Sequence, residues 1–151
     1  MRLAEALAER ADCQVRLAEL HKRLTRVVRV QEGESPAEDS AELLVEVDRL
    51  LQRQLQLISA INRTNARTQF DNRRTISDVI AERDMTAKHR DLLSAVAEAA
   101  SVRQDRYSKS EVKFVATLSV ATLQKQIDNL SKQYRTLDTR LQELNWSTEL
   151  I

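Results

Sequence analysis

The stretch that decides the fold is Ser119–Trp146, SVATLQKQIDNLSKQYRTLDTRLQELNW. Leu123, Ile127, Leu130, Tyr134, Leu137, Leu141 and Leu144 follow one another at alternating steps of four and three, the signature of a heptad seam. At about 1.5 Å rise per residue this predicts a helix of roughly 40 Å. Between the seam residues stand Lys125, Asp128, Lys132, Arg135, Asp138, Arg140 and Glu143, the composition of a solvated outer face. A narrow apolar stripe of that length needs partner helices.

The rest of the chain agrees with a helix-on-helix core. Its 151 residues are 42% hydrophobic and 31% charged, which suits a single folded domain over residues 1–151. Aromatic residues make up 3%, so Leu and Ala must fill the interior. The one glycine and one proline, Gly33 and Pro36, stand almost together, leaving the remainder without the usual punctuation of tight turns. The spacing predicts a mainly α protein: an antiparallel bundle of four long helices with coiled-coil-like packing and a small β element.

The first helix is predicted over about Arg2–Val30, with Leu3, Leu7, Leu17, Leu20 and Leu24 on one side and Arg10, Gln14 and His21 at or beside its seam. Polar residues at such positions fix register or oligomer state at a cost in stability. Gly33 can form a left-handed stop. Ser35, Pro36 and Glu38 form a capping-box pattern for the second helix, with Asp39 or Ser40 as an alternative cap. That helix runs to about Asn65, with Leu43, Val47, Leu50, Leu57 and Ile61 on a seam and Leu44, Leu51 and Ile58 beside it. A stripe so broad implies contact with more than one neighbour.

Asp71-Asn72 suits a turn, and Phe70 and Ile76 would pair across it as a short hairpin. Thr75, with Asp78 behind it, caps a third helix that continues through Val79, Ile80, Met85, Leu92, Leu93, Val96 and Ala100. Val112, Phe114, Ala116, Leu118 and Val120 alternate with more polar residues, a period of two that predicts a short extended segment before Ser119 caps the fourth helix. Trp146, Leu150 and Ile151 are expected to tuck the tail against the bundle or onto a neighbour.

Several classes of chemistry find no support in these residues. The positions three before His21 and His89 are Ala18 and Thr86, so the Glu-x-x-His pairs of di-metal bundles are missing. One glycine cannot build a phosphate loop. Cys13 reads as a small packed hydrophobe, and a single cysteine suits a reducing compartment, hence the cytoplasm. No run of eighteen apolar residues predicts a membrane span, and a net charge of +1 gives no global attraction to nucleic acid or anionic lipid. No catalytic residue, metal, cofactor or small-molecule substrate is expected.

Two basic clusters remain. Arg63, Arg67, Arg73 and Arg74 lie between the second and third helices, and Arg103, Arg106, Lys109 and Lys113 surround Tyr107 with Asp105 interleaved. Either could meet phosphates, with Tyr107 as a stacking surface, which makes a nucleic-acid accessory role one alternative. The preferred reading is a charge-matched contact of the Arg103–Lys113 segment with acidic residues near Glu34 and Asp39, within one subunit or between two. The expected function is a non-enzymatic homo-oligomeric assembly or adaptor protein that contacts itself and a further protein. Helices 1 and 3 are the preferred interface because polar residues interrupt their stripes. The helix 4 seam reads as intrachain core, and as subunit interface in the alternative.

The strings RLAEALAERAD, VQEGESPAEDSAELLVEVDRLL, INRTNARTQ, AEAASVRQDRYSKSEVKFV and VATLQKQIDNLSKQYRTLDTRLQELNW resemble the septicolysin-like family of small helical bacterial proteins over essentially the whole chain. The family's name implies a second alternative, a membrane-active pore-forming cytolysin. The resemblance carries over no catalytic residue.

Overall fold

The structure, a computed structural model, describes residues 1–101 and 112–151. It is mainly α. Four long helices, α1 (Leu3–Val27), α2 (Ser40–Arg67), α3 (Ile76–Ala100) and α4 (Val120–Ser147), carry the described chain. Two compact units emerge: Met1–Gln69 with Glu143–Ile151, and Phe70–Gln142. α4 contributes residues to both units.

In the first unit α1 and α2 pack as an antiparallel pair, shown by the Glu9–Arg53 contact near the start of one helix and the middle of the other, and by Arg23–Glu38 across the connecting loop. Their seams follow the heptad rule. On α1 Ala6, Arg10, Cys13, Leu17, Leu20, Leu24 and Val27 recur at steps of four and three and are buried or half-buried. On α2 the matching set is Leu43, Val47, Leu50, Gln54, Leu57, Ile61 and Thr64. Each fully buried leucine contributes roughly 1.5–3 kcal/mol by leaving water.

The helix boundaries differ from expectation at the first connection. α1 stops at Val27, with Val28 N–H donating to the Leu24 carbonyl at 3.0 Å, three residues earlier than predicted. Gly33 does take the left-handed region, at φ 84°, but in a turn closed by Glu34 N–H and the Gln31 carbonyl. The Ser35–Glu38 capping box is not formed. Glu38 is drawn off to the Arg23 guanidinium, and the alternative cap Asp39 takes over, accepting from Ala41 N–H at 2.8 Å.

The chain end is tied into the same unit by backbone. Leu3 N–H donates to the Thr148 carbonyl and Leu150 N–H to the Met1 carbonyl, both at 2.9 Å, forming an antiparallel bridge between Arg2 and Glu149. Thr64, wholly buried in α2, accepts from Ile151 N–H at 2.9 Å while its own hydroxyl donates to the Ala60 carbonyl. Trp146 and Ile151 themselves stay exposed, so the tail is held by hydrogen bonds more than by its apolar side chains.

The second unit opens on a turn. Asp71 Oδ1 accepts from the backbone N–H of Arg73 and Arg74, each at 2.9 Å, and Phe70 N–H donates to the Arg74 carbonyl at 2.8 Å. This is the expected turn without the expected hairpin, because Ile76 is already the first residue of α3 and fully buried. Thr75 and Asp78 cap α3 reciprocally, as their spacing predicts. Among the described residues there is no β-strand. Residues 112–118 are irregular and exposed, with Phe114 83% accessible, since no second strand stands among the described residues to pair with the alternating pattern.

α3 and α4 run antiparallel, with Arg83 early in one meeting Asp138 late in the other, and Ala97 packing with Leu123 and Ile127. Ser119 caps α4, its hydroxyl accepting from Thr122 N–H. The α3 seam is not the one its hydrophobicity suggests. Ile76, Val79, Arg83, Thr86, Arg90, Leu93 and Ala97 form the heptad row that is buried or half-buried, whereas Met85, Leu92 and Val96 are exposed.

Acid should loosen these connections. Hydrogen bonding from the Arg74 guanidinium, helped by the two backbone N–H groups, pulls the Asp71 pKa from 3.8 to about 2. Arg53 likewise lowers Glu9, Arg23 lowers Glu38, and the Thr75 N–H lowers Asp78. A carboxylate whose pKa is lower in the folded state stabilises the fold above its ordinary value and loses that contribution as protons fill it. Melting temperature should therefore hold level down to pH 4.5, the ordinary value of a glutamate, and fall steadily toward pH 2. A flat profile between those limits would show that the pairs form equally in the unfolded chain.

Candidate interaction surface

The seven residues of the α4 seam line one row: Leu123, Ile127 and Leu141 are buried, and Leu130, Tyr134, Leu137 and Leu144 are half-buried. Facing them in the second unit, α3 supplies long polar side chains as packing material. Arg83 donates to Asp138 Oδ1 at 2.8 Å and to Asp84 Oδ1 at 2.9 Å. Burial disfavours its charge, and the two carboxylates more than offset this, so its pKa is raised. The Arg90 guanidinium sits 5.3 Å from the centre of the Tyr134 ring, a cation–π stack that covers one ring face.

Comparable polar layers cross the α1/α2 seam. Arg53 grips Glu9 with two hydrogen bonds, 2.6 and 2.8 Å, that hold the Glu9 carboxyl below its usual range. One step along, Arg10 presents a buried Nε with no hydrogen-bond partner among the described residues, beside the buried Cys13. The Glu9–Arg53 pair aligns α1 with α2 by matching polar groups at one height.

Arg103, Asp105, Arg106, Tyr107 and Lys109 lie outside the described residues. Lys113 is exposed in the irregular approach to α4, Glu34 is exposed in the Gly33 turn, and Asp39 serves as the α2 cap. Of the other basic cluster, Arg74 is committed to Asp71, Glu82 and the Phe70 ring, and Arg63 donates to the Ile151 carbonyl at 3.3 Å. His21 and His89 are exposed, and no group of three or more metal-ligating side chains occurs among the described residues. Among those residues, too, no helix is long and apolar enough to cross a membrane.

What the sequence did not separate is a second apolar row on α2. Leu44 is 53% exposed, Leu51 49% and Leu55 65%, with Val45 also outside. Leu44 and Leu51 were expected to find cover inside a broad bundle stripe. Each instead stands one residue, about 100° of helix rotation, beyond the buried Leu43 and Leu50, too far round to join the same seam. The α3 residues Met85, Leu92 and Val96 form a shorter exposed row in the other unit. Exposed large residues at helical spacing are the mark of contact surfaces, in contrast to singly scattered ones.

A model of a family of unknown function, DUF6847, matches residues 10–150. The chain belongs to that family. A DUF6847 assignment corrects the resemblance to the septicolysin-like family, and the cytolytic activity implied by that resemblance loses its basis. Among solved structures the chain is similar to a functionally unknown conserved protein from Corynebacterium diphtheriae, with 46% identity, a TM-score of 0.95, and coverage of 100% of this chain and 99% of that one. No curated protein matches significantly.

Proposed function

We propose that the protein is a non-enzymatic assembly or adaptor protein that acts as a homo-oligomer through its helix faces. The observation that carries this reading is the exposed row Leu44, Leu51 and Leu55 on α2. Leaving such a row in water forgoes roughly 25 cal/mol for every Å² of apolar surface that a partner would cover, and a two-fold copy supplies a matching surface at no cost in new sequence. The polar layers within the seams support the same reading, because they set intrachain register and so leave the apolar rows free for contact outside it. The half-buried charges Glu9 with Arg53 and Arg83 with Asp138 join neighbouring helices to one another.

Native mass spectrometry of the full chain tests the reading. A series dominated by dimer or a higher even-numbered species at micromolar concentration is expected. A spectrum of single chains throughout that range would remove it.

A further inference from the structure

Residues 1–3 and 147–151 are fastened to each other and to α2 by polar contacts. Leu3 N–H donates to the Thr148 carbonyl and Leu150 N–H to the Met1 carbonyl, while the Arg2 guanidinium reaches the Ser147 carbonyl at 2.9 Å and the Glu149 carboxylate at 3.3 Å. On the α2 side the Thr64 hydroxyl accepts from Ile151 N–H at 2.9 Å, and the Arg63 guanidinium donates to the Ile151 carbonyl at 3.3 Å. Apolar burial adds little, because Trp146 and Ile151 are exposed and Leu150 is only half-buried. Water can take the place of such contacts, but not of the packing around the buried Leu57 and Ile61.

Parting the two segments also strands no polar group. The Thr64 hydroxyl keeps its bond to the Ala60 carbonyl, Arg2 N–H keeps the Glu5 carboxylate, and Thr148 N–H still closes the last turn of α4 on the Leu144 carbonyl. Leu3 N–H is one of the first-turn donors that an α-helix leaves for solvent in any case. The α1/α2 pair therefore stands without the fastening.

We infer that Met1–Leu3 and Thr148–Ile151 form a clasp that opens and closes as one unit while α1 and α2 stay packed, with Thr64 as the joint that sets how often it opens. The coupling follows from the bridge. Arg2 and Glu149 pair antiparallel only while both segments are in place, so a tail released from Thr64 also takes from Met1–Leu3 its partners. Opening bares the Thr64 hydroxyl, otherwise wholly buried, and releases Arg63 from the Ile151 carbonyl. Every group in the clasp belongs to one chain, so it does not depend on the oligomer reading.

Amide hydrogen exchange of the full chain, followed residue by residue by NMR, tests the clasp. In the parent the Leu3, Leu150 and Ile151 amides should be protected about 100-fold less than those of Leu57 and Ile61, with rates that low denaturant leaves unchanged, as local opening requires. Thr64→Val removes the acceptor for Ile151 N–H and should speed Leu3 and Leu150, which Thr64 does not touch, by about the same tenfold as Ile151. Thr64→Ser keeps an acceptor and should stay near the parent. Arg2→Ala, a change at an exposed side chain, should in turn speed Ile151. Clasp amides that exchange at the rate of Leu57, with the same denaturant dependence, would overturn the proposal. So would faster exchange at Ile151 alone in Thr64→Val, or at Leu3 alone in Arg2→Ala, since the two segments would then open separately.

Discussion

Leu57→Ala is expected to cost about 2–5 kcal/mol, the range for truncating a well-packed core leucine. Leu57 is 2% exposed in the α1/α2 seam, with Leu50 and Thr64 each about two turns away on either side. Both seams are set by heptad steps and held at fixed height by the Glu9–Arg53 pair, so the surrounding helices cannot close over the space the lost isopropyl group leaves. For a chain of this size the loss corresponds to a fall of roughly 5–15 °C in melting temperature. Val15→Ala, on the exposed side of α1, should move the same transition by no more than about 0.5 kcal/mol. Calorimetry or thermal circular dichroism distinguishes the two. Equal shifts would mean that the α1/α2 seam is not where the first unit keeps its core.

The opposite sign is expected for Arg10→Met. Arg10 occupies a seam position, and its buried Nε lacks an acceptor among the described residues. An unsatisfied buried donor costs about 1–3 kcal/mol, and replacing it with a flexible apolar side chain of similar length recovers that amount. The variant should melt several degrees higher. A lower melting temperature would show that the guanidinium stabilises the seam by a contact its Nε does not make.

The legible part of this fold is what repeats with period three and a half. The α4 seam, the α1 leucines and Leu43, Leu50, Leu57 and Ile61 of α2 could be placed because burial follows hydrophobicity there. Local chemistry was legible for the same reason: Thr75 and Asp78 need only each other, and Ser119 needs only the N–H of Thr122. The α3 face was not legible, since its inner row is built from Arg83, Thr86 and Arg90: the two arginines find partners on α4, and Thr86 turns its hydroxyl to the Glu82 carbonyl of its own helix. Met85, Leu92 and Val96 form an equally good helical row by pattern, and sequence alone cannot say which of two rows faces inward. The segment around Phe114 misled through period two, because alternation marks a strand only where another strand is present to accept its hydrogen bonds.

The surface was harder than the core. Adjacent leucines at 43–44 and 50–51 look like one broad stripe, and only the placement of α1 shows that the second member of each pair is left outside. The expected preference for helices 1 and 3 as contact faces rested on polar interruptions. Of those on α1, Arg10 is half-buried while Gln14 and His21 are exposed; on α3 Arg83 and Arg90 pack toward α4, and a row of exposed leucines stands on α2.

Sedimentation equilibrium of the unmodified chain over a hundredfold dilution tests the central claim most directly. The account predicts a fitted mass of two chains or a multiple of two at the high end, falling toward one chain on dilution with a single dissociation constant. A mass of one chain at every concentration would contradict it.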